Sequence, residues 1–273
     1  MSKKIAGLTI TFIFSLLLVI AAYSHDIWLY PNQFILSKGD TLIVRQLAGS
    51  ELAIEMEIEL LTRMTPSYVL ITPTESIDLL SELPDMFQWV KPVLKRKLDF
   101  DGLALVTMEH AFIWNEFSNE KFLEYLEHEE LKLEKFQDQI GNKPKQTERY
   151  ARTLKCLVQV GDASDGDLHK QVVGQKLEIL LLQNPYFLEP GDDLEVQVLF
   201  DGKPLADQLV TAFSGDGKQL VSTSKAHTNE AGIARFKLDR KRFWLLRLVH
   251  LYPCSDPDVD WESYWTSYSF WVN

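Results

Sequence analysis

No cysteine stands near residues 22–26, so the lipid-modified cysteine that anchors a bacterial lipoprotein is not expected. Nothing in the chain has the spacing of a phosphate-binding loop, a nucleophile elbow or a zinc finger. Basic residues are outnumbered: 28 Lys and Arg against 39 Asp and Glu give a formal net charge of −11. The short basic patches at 91–97 and 143–155 do not overturn that balance. Binding to nucleic acid or to an anionic membrane needs clustered positive charge, so neither is expected as a partner. The two cysteines, Cys156 and Cys254, allow one disulfide in an oxidising compartment. Cys156 lies in the apolar run 154–158, where a buried thiol is an equal alternative.

What the chain does have begins at its amino end. Lys3 and Lys4 precede an uncharged stretch from Ile5 to Ala22, followed by Tyr23-Ser24-His25-Asp26. A basic start, an apolar run and a small-residue exit are the three parts of a secretory signal. Cleavage after Ser24 leaves His25 first, and cleavage after Ala22 leaves Tyr23 first. The alternative is an uncleaved anchor, since the apolar run nearly reaches bilayer length. Removing 24 residues from 273 leaves 249, and the two lost lysines take the charge to −13. An extracytoplasmic, periplasmic location with no membrane span after cleavage follows as the expectation.

From Asp26 to about Met108 short β-branched and aromatic runs alternate with Gly, Pro and Asp, the texture of strands and turns. The segment from Phe34 to Val44 carries Gly39-Asp40 between apolar residues, and the segment from Tyr186 to Val196 repeats the arrangement at Gly191-Asp192. Self-similarity of this kind marks a repeated structural unit. In the second unit Leu194, Val196, Val198 and Phe200 alternate with polar residues, the period of a half-buried strand. Ser214-Gly-Asp216-Gly217 reads as a hairpin turn, and about seven strands fit an immunoglobulin-like sandwich. Between the units, Ser118 or Asn119 can cap a helix carrying Phe122, Leu126, Leu133, Phe136 and Ile140, with a second short helix over 147–158. The expected fold is mainly β: two tandem immunoglobulin-like β-sandwiches, 25–175 and 176–273, with an α-helical insertion or connector at about 116–158.

His25 is the first candidate for chemistry. Cut after Ser24, it offers an α-amine and an imidazole as a nitrogen chelate. Cut after Ala22, it stands third, where amine, amides and imidazole can surround a metal in a plane, a geometry suited to Cu(II) or Ni(II). The plain alternative is a strand residue beside a signal. The second candidate set is His250 with Asp258, Asp260 and Glu262, interleaved with Trp261, Tyr264 and Trp265. A solvated acidic loop followed by a core strand is its plain alternative. His128 among Glu124, Glu127, Glu129 and Glu130 reads first as a solvated helix face.

Several stretches of the chain resemble one family. They are His25-Asp26-Ile-Trp28-Leu-Tyr-Pro31, the helix text from Glu120 to Leu126, Glu148-Arg149-Tyr150-Ala-Arg152, the turn from Asp201 to Leu205, and the ending from Asp258 to Trp265. Together they resemble the DUF4198 family of exported bacterial proteins, formerly described as nickel-uptake substrate-specific components. The resemblance implies tandem β-sandwiches, a periplasmic location and a context of nickel or cobalt import. It makes His25, Trp28, His250, Asp260 and Glu262 pattern positions. Leu131 stands where the family pattern has glycine, so the helical insert is expected to differ in detail. The resulting expectation is a divalent transition-metal protein (Ni, Co or Cu) that serves a membrane metal-uptake system, with no catalytic role. Two alternatives stand beside it: a metal-independent adhesion or scaffold module, and a copper mono-oxygenase-like enzyme using His25, His250 and Tyr264.

Overall fold

The structure is a computed structural model that describes residues 25–83, 88–162, 166–215 and 219–273. The expected signal segment and the turn at Asp216-Gly217 lie outside the described residues. In chain order the first part comprises β1 (Asp26–Pro31), β2 (Ile35–Leu36), β3 (Thr41–Ser50), β4 (Ala53–Ile58), β5 (Leu60–Leu61) and β6 (Ser67–Ile71). It continues with β7 (Ser76–Asp78), β8 (Trp89–Val90), β9 (Leu94–Lys97), β10 (Gly102–Ser118), α1 (Asn119–His128), α2 (Gln137–Ile140) and β11 (Lys145–Val160). The second part adds β12 (Leu177–Leu181), β13 (Asp193–Phe200), β14 (Lys203–Pro204) and β15 (Leu209–Gly215). It ends with β16 (Leu220–His227), β17 (Ile233–Lys237), β18 (Arg242–Pro253) and β19 (Trp261–Val272).

The fold is mainly β and built of sandwiches, as expected, but the two halves share a layer. One sheet runs β16-β15-β18-β19-β11-β10-β6-β7, with β2 also pairing β11. β11 and β19 join the halves by parallel pairing, from Glu148↔Trp261 to Cys156↔Ser269. A small sheet of β1, β3, β4 and β9 covers one face, and another of β12, β13, β14 and β17 covers the other. Two cores result. Ala104, Val106, Leu154, Cys156, Phe243 and Leu245 pack under the β1 sheet. Leu103, Leu105, Leu157, Trp244, Leu246 and Tyr268 pack under the β13 sheet. Strands covered on both faces read as continuous apolar runs rather than as alternating ones.

That double burial corrects one expectation. The second helix expected over 147–158 is the strand β11, whose residues 151–160 are all buried. A short apolar run has no period that separates strand from helix, and the flanks β10 and β19 decide it here. The first helix does form, with the Ser118 hydroxyl accepting from Lys121 N at 3.3 Å as its N-cap. It buries Phe122, Tyr125 and Leu126 against Phe117, Val249, Trp261 and Trp265, each side chain contributing about 2 kcal/mol. It ends at Glu130, which holds φ +53, the left-handed conformation glycine adopts without strain.

The Gly-Asp repeat is a repeated device in three dimensions. Asp40 Oδ2 accepts from Ser37 N at 2.9 Å, and Asp192 Oδ2 accepts from Glu189 N at the same distance. Gly39 N donates to Leu98 O and Gly191 N to Leu238 O, both at 2.7 Å. Both glycines have positive φ, +88 and +106. The Tyr186 hydroxyl donates to Phe34 O at 3.0 Å and so ties one copy to the other.

Candidate functional site

The amino-terminal strand carries Asp26 into the molecule. β1 lies across the central sheet, where Ser267 and Ser269 donate to the carbonyls of Ile27 and Leu29 at 2.8 and 2.6 Å. Asp26 is thereby seated beside Arg247 of β18, whose Nε donates to Asp26 Oδ1 at 2.6 Å. Arg247 Nη1 donates to Glu129 Oε2 at 2.5 Å, at the end of α1, and Glu129 Oε1 lies 3.2 Å from His128 Nδ1. Burial presses Arg247 toward neutrality, but the two carboxylates outweigh it and leave its pKa raised. Burial also raises Asp26, against the pull of Arg247. For Glu129 the guanidinium and His128 outweigh burial and lower the pKa.

Beside this network, between α1 and the face of β10 and β11, lies a cavity of about 230 Å³. Phe117, Tyr125, Tyr150 and Trp265 form its aromatic wall, and Glu124, His128, Glu148, Arg152, Asn115 and Ser50 supply polar groups. Period-two spacing puts Glu148, Tyr150 and Arg152 of β11 on this one face. Glu148 Oε1 accepts from the hydroxyls of Ser263 at 2.5 Å and Tyr125 at 3.3 Å. Burial pushes the Glu148 carboxyl up to about 7, against those two donors. Arg152 is only 8% exposed and stacks on Trp265 at 4.7 Å and Tyr150 at 5.4 Å. Among the described residues it makes no hydrogen bond and no ion pair.

The residues singled out from sequence divide between places. His25 stands just before β1 with its Nδ1 3.4 Å from Glu55 Oε1, and its side chain is 21% exposed. The contact is within ion-pair range, but its geometry is not that of a hydrogen bond, and Nδ1 has no such partner among the described residues. Glu55 Oε1 also accepts from Ser50 Oγ at 3.4 Å, so His25 neighbours the lip of the cavity that Ser50 lines.

His250 is elsewhere. It shares a strand face with Leu246 and Leu248 under the β13 sheet, whereas Arg247, the partner of Asp26, faces the β1 side. Its Nδ1 lies 3.0 Å from Gln208 Oε1, its ring packs on Phe200 at 4.6 Å, and burial pushes its pKa down to about 4. The structure does not bring His25 and His250 together.

The acids are committed to other partners. Asp260 accepts from Lys143 Nζ and from the amide and hydroxyl of Thr147, both at 2.9 Å. Glu262 takes Arg149 Nε at 2.6 Å and the Tyr252 hydroxyl. For both acids burial works upward and these partners outweigh it, so their pKa values are lowered. Asp258 is exposed. Among the described residues no three His, Cys, Asp or Glu side chains gather as a metal-binding group. The two cysteines are unpaired, Cys156 in the core and Cys254 half-buried.

Fold and cavity together define the class: a β-sandwich protein with a charged, aromatic-walled cavity under an inserted helix. Residues 22–251 match the family model described as "Domain of unknown function (DUF4198)", and the chain belongs to that family. No curated protein matches it. Among solved structures it is similar to trypsin-activated alpha-2-macroglobulin from Escherichia coli, at 9% identity and a TM-score of 0.22. That match covers 92% of this chain and only 16% of the macroglobulin. The D0-D1 domain of intimin is similar at 13% identity and a TM-score of 0.23, with 90% of this chain and 98% of that one covered.

Proposed function

We propose that the protein is a periplasmic transition-metal-binding protein, accessory to nickel or cobalt uptake, whose ion is held at the amino-terminal end of β1. The observation that carries this reading is the His25 imidazole. It is part-exposed, its Nδ1 lacks a hydrogen-bond partner among the described residues, and it lies beside the Glu55 carboxylate. An imidazole nitrogen next to a carboxylate oxygen is a donor pair that fits a divalent metal of this series. Signal cleavage next to His25 would add the α-amine. The C-terminal residues have no share in this reading: His250 faces the opposite side of the central sheet, and Asp260 and Glu262 are bound to Lys143 and Arg149. His25 and Glu55 would hold the ion, and no reaction is assigned to it.

Native mass spectrometry of the protein exported by a bacterial host, titrated with Ni, Co, Cu and Zn, tests the reading. The expected result is one ion per chain on a polypeptide beginning at His25 or Tyr23, lost in His25→Ala. A correctly processed chain that retains no ion would overturn it.

A further inference from the structure

Arg152 is a permanently charged cation in this cavity wall, and its situation is unusual. A guanidinium carries five N–H donors and stays charged, so its removal from water is costly unless acceptors replace the water. Here burial lowers its pKa, with Tyr150 and Asp26 only partly offsetting the effect. The acids close by are already engaged. Arg247 takes both Asp26 and Glu129, and Glu148 is held through Oε1 by Ser263 and Tyr125. Trp265 and Tyr150 supply ring faces that fix the guanidinium plane but accept no N–H fork. What remains is a largely buried, planar fork at the wall of an aromatic-lined cavity.

We infer that the cavity beneath α1 is a binding site for a small organic carboxylate with a flat apolar body, its carboxylate paired with Arg152. The fork matches a carboxylate in a bidentate pair, the geometry that makes arginine the usual choice for such recognition. Phe117, Tyr125 and Trp265 present the apolar surface for the body of the ligand. Glu148 suits the same role, since a buried carboxyl that keeps its proton donates to a ligand carboxylate instead of repelling it. With Glu148 protonated, the buried charges of Asp26, Glu129, Arg152 and Arg247 balance, and the remaining acid of the lining, Glu124, is exposed to solvent. His128 adds positive charge at the cavity wall when protonated, and its hydrogen bond to Glu129 raises its pKa. This site uses neither His25 nor Glu55 and does not depend on a bound metal.

The test is calorimetric titration of the metal-free protein with benzoate, benzamide and benzylammonium at pH 6. Benzoate is expected to bind saturably at one site, and the neutral and cationic analogues of the same shape to bind at least tenfold more weakly. Arg152→Met is expected to weaken benzoate by roughly ten- to hundredfold, the range for a hydrogen bond to a charged group. Arg152→Lys, which keeps charge without the fork, should fall between the two. Far-UV circular dichroism of both variants separates loss of binding from loss of fold, and the comparison among the three probes needs no variant. Equal binding of benzoate and benzamide, unchanged benzoate affinity in folded Arg152→Met, or no binding of benzoate at all would overturn the proposal.

Discussion

β11 carries two buried cations three residues apart, and they are treated in opposite ways. Lys155 points under the β13 sheet, where Glu178 Oε1 takes its ammonium at 2.6 Å and Ile179 O a second bond at 3.0 Å. Glu178 is itself completed by the amides of Val173 and Gly174 at 2.7 and 3.2 Å. Burial lowers Lys155 to about 8, but every polar atom in the group has a protein partner in reach. Arg152 points under the β1 side, 8% exposed against 1% for Lys155, with two ring faces and no acceptor among the described residues. A cation kept for the fold is closed off by the fold. A cation left open on a cavity wall has its partner elsewhere.

Breaking the closed pair should cost most. Lys155→Met leaves a buried carboxylate without its cation and should lower stability by about 3–5 kcal/mol in urea unfolding, with most of the loss recovered in Lys155→Met combined with Glu178→Leu. The buried acid of the open site comes next. Glu148 has a raised folded pKa of about 7 against an ordinary value of 4.5. The folded state therefore holds more protons between those values, and stability should fall as pH rises from about 4.5 to 7 and level off above. Glu148→Gln should remove that slope and gain on the order of 2 kcal/mol at pH 8, measured by denaturant midpoint across the pH range. Arg152→Met should change stability by only about 1 kcal/mol either way in ligand-free protein, since it removes a desolvated charge along with two ring contacts. A loss equal to that of Lys155→Met would erase the distinction between the two cations. Smallest of all, Asp258→Asn on the exposed loop should stay within about 0.5 kcal/mol by thermal melting.

The same contrast explains what could be read from the chain. β13 was legible because one of its faces is half wet, so Leu194, Val196 and Val198 alternate visibly with Glu195 and Gln197. The Gly-Asp turns were legible because their hydrogen bonds are local, three residues apart. β11 was not, because both of its faces are dry and its apolar run carries no period. The buried network escaped for another reason. Arg247 and Asp26 are 221 residues apart, Arg247 and Glu129 118, and an arginine in a strand reads as solvent-facing until its neighbours are known. The signal nearest to a warning was Glu148-x-Tyr150-x-Arg152, two charges and a ring on one strand face. His25 stood out through its place beside the signal junction, and His250 through its place ahead of Asp258, Asp260 and Glu262, which says nothing about the face of the sheet it occupies.

The parallel junction of β11 with β19 has a consequence for how the molecule comes into being. The last of these strands to leave the ribosome lies in the middle of the broadest sheet, flanked by β11 and β18. Until it is made, β11 has an open edge along residues 148–156, and its partners lie 113 positions downstream. Pairing across such separations is slow, because a long loop must close before any contact rewards it. The junction of the two halves is therefore a slow, late step of folding, because it waits on the final strand of the sheet.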